Sequence, residues 1–401
     1  MGIISPVGIG IRDFWKSLKT GKTGLGPITL FDADSLPNRI AAEVKDWDHR
    51  RTAHLDPAQC KHFSRATQFG VAAARLAMAD AGLVSLDQDR TEVLLGTTTN
   101  SLDESNPVQE PITIPDSEYP GDGSPRINLK SFLGTPAAAI ALDFGINGLT
   151  TVITDADYSA FSAVGLAAQR IESGRADLIL CGATETPINS FTISAMCEAD
   201  LLTRNRNAHD AIRPFDNRHD RCALGEGAVI FVLESHKHAR QRNARIYARI
   251  EEFVPAPTIL YSFDFKNNCS ENWAQTILDT ERACSPDVIH AHGSGHRDMD
   301  NMEARALHQA YGNQIGAIPV TSVKAAVGSG SAIGGAFQIA ASALMIDRQC
   351  ILLTRNHDRP APGYHLNVVR RLTRKRIESI SQYAYARNGA HTGMLLTGVR
   401  T

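Results

Sequence analysis

Apolar positions recur along this chain at two periods, and together they predict strands alternating with helices. In residues 56–83, DPAQCKHFSRATQFGVAAARLAMADAGL, Phe63, Phe69, Ala73, Leu76 and Ala77 fall at helical spacing, and Gly82 supplies a stop. TEVLLGTTT (91–99) is short and continuously apolar at its centre, as a buried strand is. The stretch that follows, 100–126, is rich in Pro, Asp, Ser and Gly and reads as a long loop. SFLGTPAAAIALDFG (131–145) predicts a small-residue helix suited to close packing. ITDADYSA (153–160) joins a buried strand ending at Ile153 to an amphipathic helix over 159–173, and ADLILCGATET (176–186) is a further buried strand. RIYARIEEF (245–253), DVIHAHGSG (287–295) and residues 317–346 repeat strand, tight turn and small-residue helix. The chain therefore reads as α/β, with similar building blocks in two halves, 1–237 and 238–401, divided after AVIFVLES. No low-complexity tract separates them, so the halves are expected to share one interface.

The turn in ITDADYSA raises the chemical question. A strand, a sharp turn and a helix of small residues present a nucleophile at the top of a sheet. Here Asp155 and Asp157 stand at the apex, where a serine or cysteine is expected. As a pair they are candidates for acid–base work, although residues two apart on an elbow need not face the same way. His290, His292 and His296 with Asp298 and Asp300 form a second concentration of polar groups, a metal cluster by residue type alone.

Composition narrows the setting. A net charge of −2 over 401 residues gives no nucleic-acid footprint. No apolar run approaches the roughly 18 residues that span a bilayer, and MGIISPVGIGIRDFW lacks the basic and apolar regions of a signal peptide. Pro6 breaks the myristoylation pattern where it needs Ser or Thr. Seven scattered cysteines without a CxxC pair read as reduced, mostly buried core filler, and the expected location is cytoplasmic.

Five segments, in order, resemble one family. GIISPVGIGIRDFWKSLKTGKTGLGPITLFD, CGATET, AIRPFDNRHDRCALGEGAVIFVLES, HAHGSGHRDMDNMEARAL and SVKAAVGSGSAIGGA resemble blocks of the elongating β-ketoacyl-acyl-carrier-protein synthases, over essentially the whole chain. The resemblance implies the thiolase fold: two related α/β halves, five alternating α-β-α-β-α layers and a dimer. It also implies a strand ahead of GIISPVG. That strand is missing here, either lost or cut away by a late start assignment.

Carried over residue by residue, the resemblance puts Asp157 in the place of the family's nucleophilic cysteine. His292 matches the first family histidine, Lys324 the family lysine, and Ser329 falls on the second histidine. Ser294 and His296 stand where two threonines bind the pantetheine arm. The glycine-rich loop becomes YAYAR (383–387), so Tyr385 and Asp157 would supply the oxyanion donors. Asp300 and Glu303 fill structural slots, and Lys324 is open as a structural partner of Glu303.

The departures change the expected chemistry. A carboxylate forms no useful acyl thioester, and it would sit beside the developing oxyanion. Ser329 is a weaker donor than histidine. The resemblance thus points to a subunit that does not condense alone, similar to the chain-length factors of bacterial type II polyketide and aryl-polyene pathways. In those, glutamine usually replaces the cysteine. The implied partners are an active ketosynthase, as a heterodimer meeting over the excursion 100–145, and an acyl carrier protein. Nucleic acid and membrane are not implied. No cofactor or metal of its own is implied, because phosphopantetheine arrives on the carrier. Two enzymatic readings stay open: a malonyl-carrier decarboxylase using His292, and an acyltransferase with Asp157 as general base.

Overall fold

Two six-stranded mixed sheets carry the fold of the computed structural model. It describes all residues except 46, 49–62, 100–131, 257–268, 330, 364, 387–388 and 400–401. The first sheet contains Gly2–Ser5 (β1), Gly8–Ile9 (β2), Thr91–Gly96 (β3), Thr150–Ile153 (β4), Leu178–Glu185 (β5) and Gly227–Glu234 (β6). Their order is β2-β1-β6-β5-β3-β4, parallel from β5 through β3 to β4 and antiparallel elsewhere. The second contains Arg249–Val254 (β7), Val288–His290 (β8), Pro319–Thr321 (β9), Asn367–Val368 (β10), Ser379–Tyr385 (β11) and His391–Thr397 (β12). Its order is β10-β9-β8-β11-β12-β7, again parallel at one side and antiparallel at the other.

The helices over the described residues are Gly10–Lys19 (α1), Arg65–Ala81 (α2), Thr135–Phe144 (α3), Ser159–Glu172 (α4), Ser190–Glu198 (α5), His236–Gln241 (α6), Cys269–Thr280 (α7), Arg297–Tyr311 (α8), Lys324–Val327 (α9) and Ala332–Arg348 (α10). Helices α2 and α3 cover the outer face of the first sheet, and α7 packs on α8 and β12 outside the second. Between the sheets lie α4 and α10, in contact with each other and with strands of both. The five alternating layers of the thiolase fold are therefore present. The middle layer is thin because its helices are built of small residues. A Cβ at Gly165 of α4 would lie 2.3 Å from the Phe253 ring of β7, so only glycine admits that approach. One core follows: Leu94, Ile179 and Val229 of the first sheet share a cluster with Phe161 and Ile339 of the middle helices and Ile380 and Met394 of the second sheet.

Local signals explain the ends of the elements. Ser64 caps α2 by accepting the Thr67 N–H, and Gly82 ends it at φ 65°. Several expectations need correction. Within GIISPVG, Gly2–Ser5 is a strand, paired to β6 from Gly2↔Ile230. The strand ahead of the elbow, β4, is half-buried rather than buried, because it forms an edge of its sheet. The strand expected over 245–253 begins at Arg249. The loop 100–126 and most of the excursion 100–145 lie outside the described residues. The cysteines are also mixed: Cys181, Cys222 and Cys350 are buried, Cys197 is half-buried, and Cys284 is exposed in the loop leading to β8. Cys60 and the side chain of Cys269 lie outside the described residues.

Candidate active site

The ends of β4, β8, β9 and β11 converge on one buried polar site. Its first wall is the turn after β8. His292 and Gly293 donate their backbone N–H groups to Glu303 of α8, at 2.7 and 2.8 Å. Asp300 accepts from the N–H groups of Phe215, at 2.8 Å, and Gly295, at 3.1 Å. Gly293 and Gly295 adopt φ of 45° and 81°, which favours glycine and bends the chain around these carboxyls. Glu303 and Asp300 are thus fasteners of the turn. Burial pushes Glu303 up to about 8, and neighbouring Asp300 adds to the rise.

The second wall follows β9. Ser322 donates its hydroxyl to the carbonyl oxygens of Gly293, at 3.0 Å, and His292, at 3.3 Å, tying the two turns together. Two residues on, the Lys324 side chain is fully buried. Gly334 of α10 leaves it room, since an added Cβ there would lie 2.6 Å from Nζ. Burial brings the Lys324 ammonium down to about 8, and its interactions with Asp157, Glu303 and Cys222 oppose that fall. Ser329 is buried and held by its backbone N–H on the Ala223 carbonyl, at 2.8 Å.

The third wall is the elbow. A short 3-10 turn, Ala156–Tyr158, joins β4 to α4 and packs against β11 and α10. Ala156 has φ 50°, a left-handed conformation that costs a non-glycine residue about 1–2 kcal/mol. Ser159 pins this strained turn, donating to the Ala156 carbonyl at 2.7 Å and accepting the Asp155 N–H at 2.8 Å. The sharp strand-to-helix turn is therefore kept, and half-buried Asp157 stands at its apex.

Tyr385 closes the site as the last residue of β11. Its ring centroid lies 4.3 Å from that of His292, tilted by 44°, and 4.4 Å from that of Trp273. Its hydroxyl points toward Ser294 without reaching hydrogen-bond geometry. Burial, then the carboxylates of Glu303, Asp300 and Asp157, hold this phenol well above its ordinary range. Burial and the Lys324 charge hold His292 well below its ordinary range, so its imidazole is neutral.

Asp157, His292, Lys324, Ser294, Tyr385, Asp300 and Glu303 therefore share one environment. His296 stands just before α8, its backbone paired with that of Asp220. His290 points its Nδ1 at Ser342 of α10, 2.8 Å away. Among the described residues no group of three or more His, Cys, Asp or Glu is placed to hold a metal ion. Sequence reasoning missed three members. Trp273 backs Tyr385, Gly334 accommodates Lys324, and the buried thiol of Cys222, donating to the Leu201 carbonyl at 3.2 Å, acts on Lys324. For Cys222 a signal existed, because it lies inside the highly specific RPFD…GEGA block.

Comparisons with known proteins identify the family. The family models for the β-ketoacyl synthase N-terminal and C-terminal domains match residues 1–239 and 278–358. The tetracenomycin polyketide synthase ketoacyl synthase alpha subunit of Streptomyces glaucescens is 32% identical over 393 residues, covering 95% of this chain and 91% of that protein. The 3-oxoacyl-[acyl-carrier-protein] synthase 2 of Synechocystis sp. is 30% identical over 92% of this chain and 89% of its own length. Among solved structures, the ishigamide ketosynthase/chain length factor superposes with a TM-score of 0.86 at 26% identity, covering 100% of this chain and 98% of the other.

Proposed function

The chain belongs to the β-ketoacyl synthase family, and on that premise we propose that it is a subunit that does not condense by itself. It pairs with a cysteine-bearing ketosynthase as its chain-length factor in polyketide-type assembly on an acyl carrier protein. The observation that carries this reading is Asp157 at the apex of an otherwise intact elbow. A thiolate would accept an acyl group there; a carboxylate forms at best a labile anhydride and repels the oxyanion of acyl transfer. Its negative charge suits instead the buried ammonium of Lys324, which it favours. The likeness to a ketosynthase/chain length factor supports the pairing.

The surface supports an interface beside the elbow. Among the described residues, strand β4 is an edge of its sheet. Leu149 just ahead of it, Leu142 of α3 and Phe132 are exposed, Leu142 by 84%. An unpaired strand edge ringed by large apolar side chains is what an interface leaves when one of its chains is taken alone.

Co-expression with a cysteine-bearing ketosynthase of the same pathway, followed by native mass measurement, tests the pairing. The expected result is a 1:1 heterodimer, and Leu142→Arg weakens it at least about tenfold, as loss of a buried anchor does. A homodimer indifferent to such ketosynthases would contradict the proposal. Malonyl-carrier decarboxylation by the isolated chain would favour the enzymatic alternative, which rests on His292.

A further inference from the structure

A polar seam runs between α10 and the second sheet. His290 of β8, Gln382 of β11, and Gln338 and Ser342 of α10 are each 0% exposed. They are already joined in part. The Ser342 hydroxyl donates to Gln382 Oε1 at 2.9 Å, and His290 Nδ1 lies 2.8 Å from the same hydroxyl. With its one proton spent on Gln382, that hydroxyl can only accept from His290. The imidazole therefore carries its proton on Nδ1 and leaves Nε2 a bare acceptor. The Gln338 amide nitrogen donates to the carbonyl oxygens of His290, at 2.7 Å, and Tyr383, at 3.0 Å. Three polar atoms of the seam have no partner among the described residues: His290 Nε2, Gln338 Oε1 and Gln382 Nε2. Polar atoms buried this deeply are paired in nearly all folded proteins.

We infer that the seam is a binding site for water: at least one water lies between α10 and the second sheet, donating to His290 Nε2 and Gln338 Oε1 and accepting from Gln382 Nε2. Two acceptors and an amide donor suit water, which fills both roles, and buried waters make about three hydrogen bonds each. A cation would use only the two acceptors and leave the amide protons facing it. Burial, then the Lys324 charge, also brings the His290 imidazole down to about 3, so the seam resists positive charge. His290 thus serves as a neutral acceptor and not as the metal ligand its residue type suggests. The water sits at a joint. Gln338 lies one helical turn beyond Gly334, which makes room for Lys324, and His290 lies two residues before His292. The seam fastens the helix beside Lys324 to the strand that ends in the His292 turn. This holds whether or not the chain condenses.

The test uses the full chain, crystallised alone or with its ketosynthase. The expected result is ordered water within about 3.2 Å of at least two of the three atoms, with no anomalous signal there after a thallium(I) soak. Oxygen-17 magnetic relaxation dispersion then counts the long-lived internal waters in solution. His290→Phe removes the ring nitrogens and fills their space. It should lose at least one long-lived water relative to the wild type, with folding unchanged by circular dichroism. His290→Leu takes its place if phenylalanine unfolds the chain. Any one of three results overturns the site: thallium at the seam, water touching fewer than two of those atoms, or equal water counts in wild type and variant.

Discussion

Asp157→Cys will not turn this subunit into a condensing enzyme. With the partner's own cysteine replaced by alanine, product output from the reconstituted complex should remain about a hundred- to a thousandfold below that of the intact partner. The reason lies in the rest of the site. A thiol at the apex would still face Ser329 where a second histidine is needed, and loss of one such donor costs about 2.7–4 kcal/mol of transition-state stabilisation. Ala384 and Ala386 would still stand where the family's oxyanion loop has glycines. Removing Asp157 also withdraws one of the charges that favour the buried Lys324 ammonium. Groups that act as a unit repair non-additively, so Asp157→Cys with Ser329→His, Ala384→Gly and Ala386→Gly should recover more than the singles combined. Recovery to within tenfold by Asp157→Cys alone would mean that only the nucleophile had been lost.

Glu303→Ala should be the most destabilising substitution in the site, at about 4 kcal/mol by urea denaturation. It orphans the N–H groups of His292 and Gly293, each worth about 1–3 kcal/mol when buried without a partner, and leaves a cavity. Glu303→Gln keeps one acceptor oxygen and should cost less than half as much. The pair also predicts a pH dependence. The folded-state Glu303 carboxyl, at about 8, lies far above its value of 4.5 in the unfolded chain. Its protonated form is the one the fold prefers. The contribution is full below pH 4.5 and is lost as pH rises through about 8. Lys324, near 8 when folded and 10.5 when unfolded, is protonated in both states over most of that window and adds little slope. Wild-type stability should therefore fall more steeply than that of Glu303→Gln between pH 5 and 8. Equal slopes would place an ionised carboxylate in the folded site.

Much of this was legible in the sequence because apolar periodicity reports how deeply an element is buried. The helix ending at Gly82 and strands Thr91–Gly96 and Leu178–Glu185 were readable for that reason. So was the elbow, since a strand running into a helix of small residues leaves few ways to turn. Periodicity does not report lateral neighbours. The edge position of Thr150–Ile153 follows from sheet order, which no local pattern carries. Tyr385 meets His292 across 93 positions of chain, and Cys222 influences Lys324 across 102, so neither contact has a local signal. His296, a motif position, stands just before α8 with its backbone paired to that of Asp220, a pairing with no local signal.

On the proposed reading, acyl groups never reside on this chain. The most direct measurement incubates the heterodimer with acyl carrier protein loaded with a short acyl group, then maps the acyl mass shift by peptide. The expected result is one acyl group per heterodimer, on the partner's cysteine, with the peptides containing Asp157 and Cys222 unmodified. A stable acyl group on either of those two residues would contradict it.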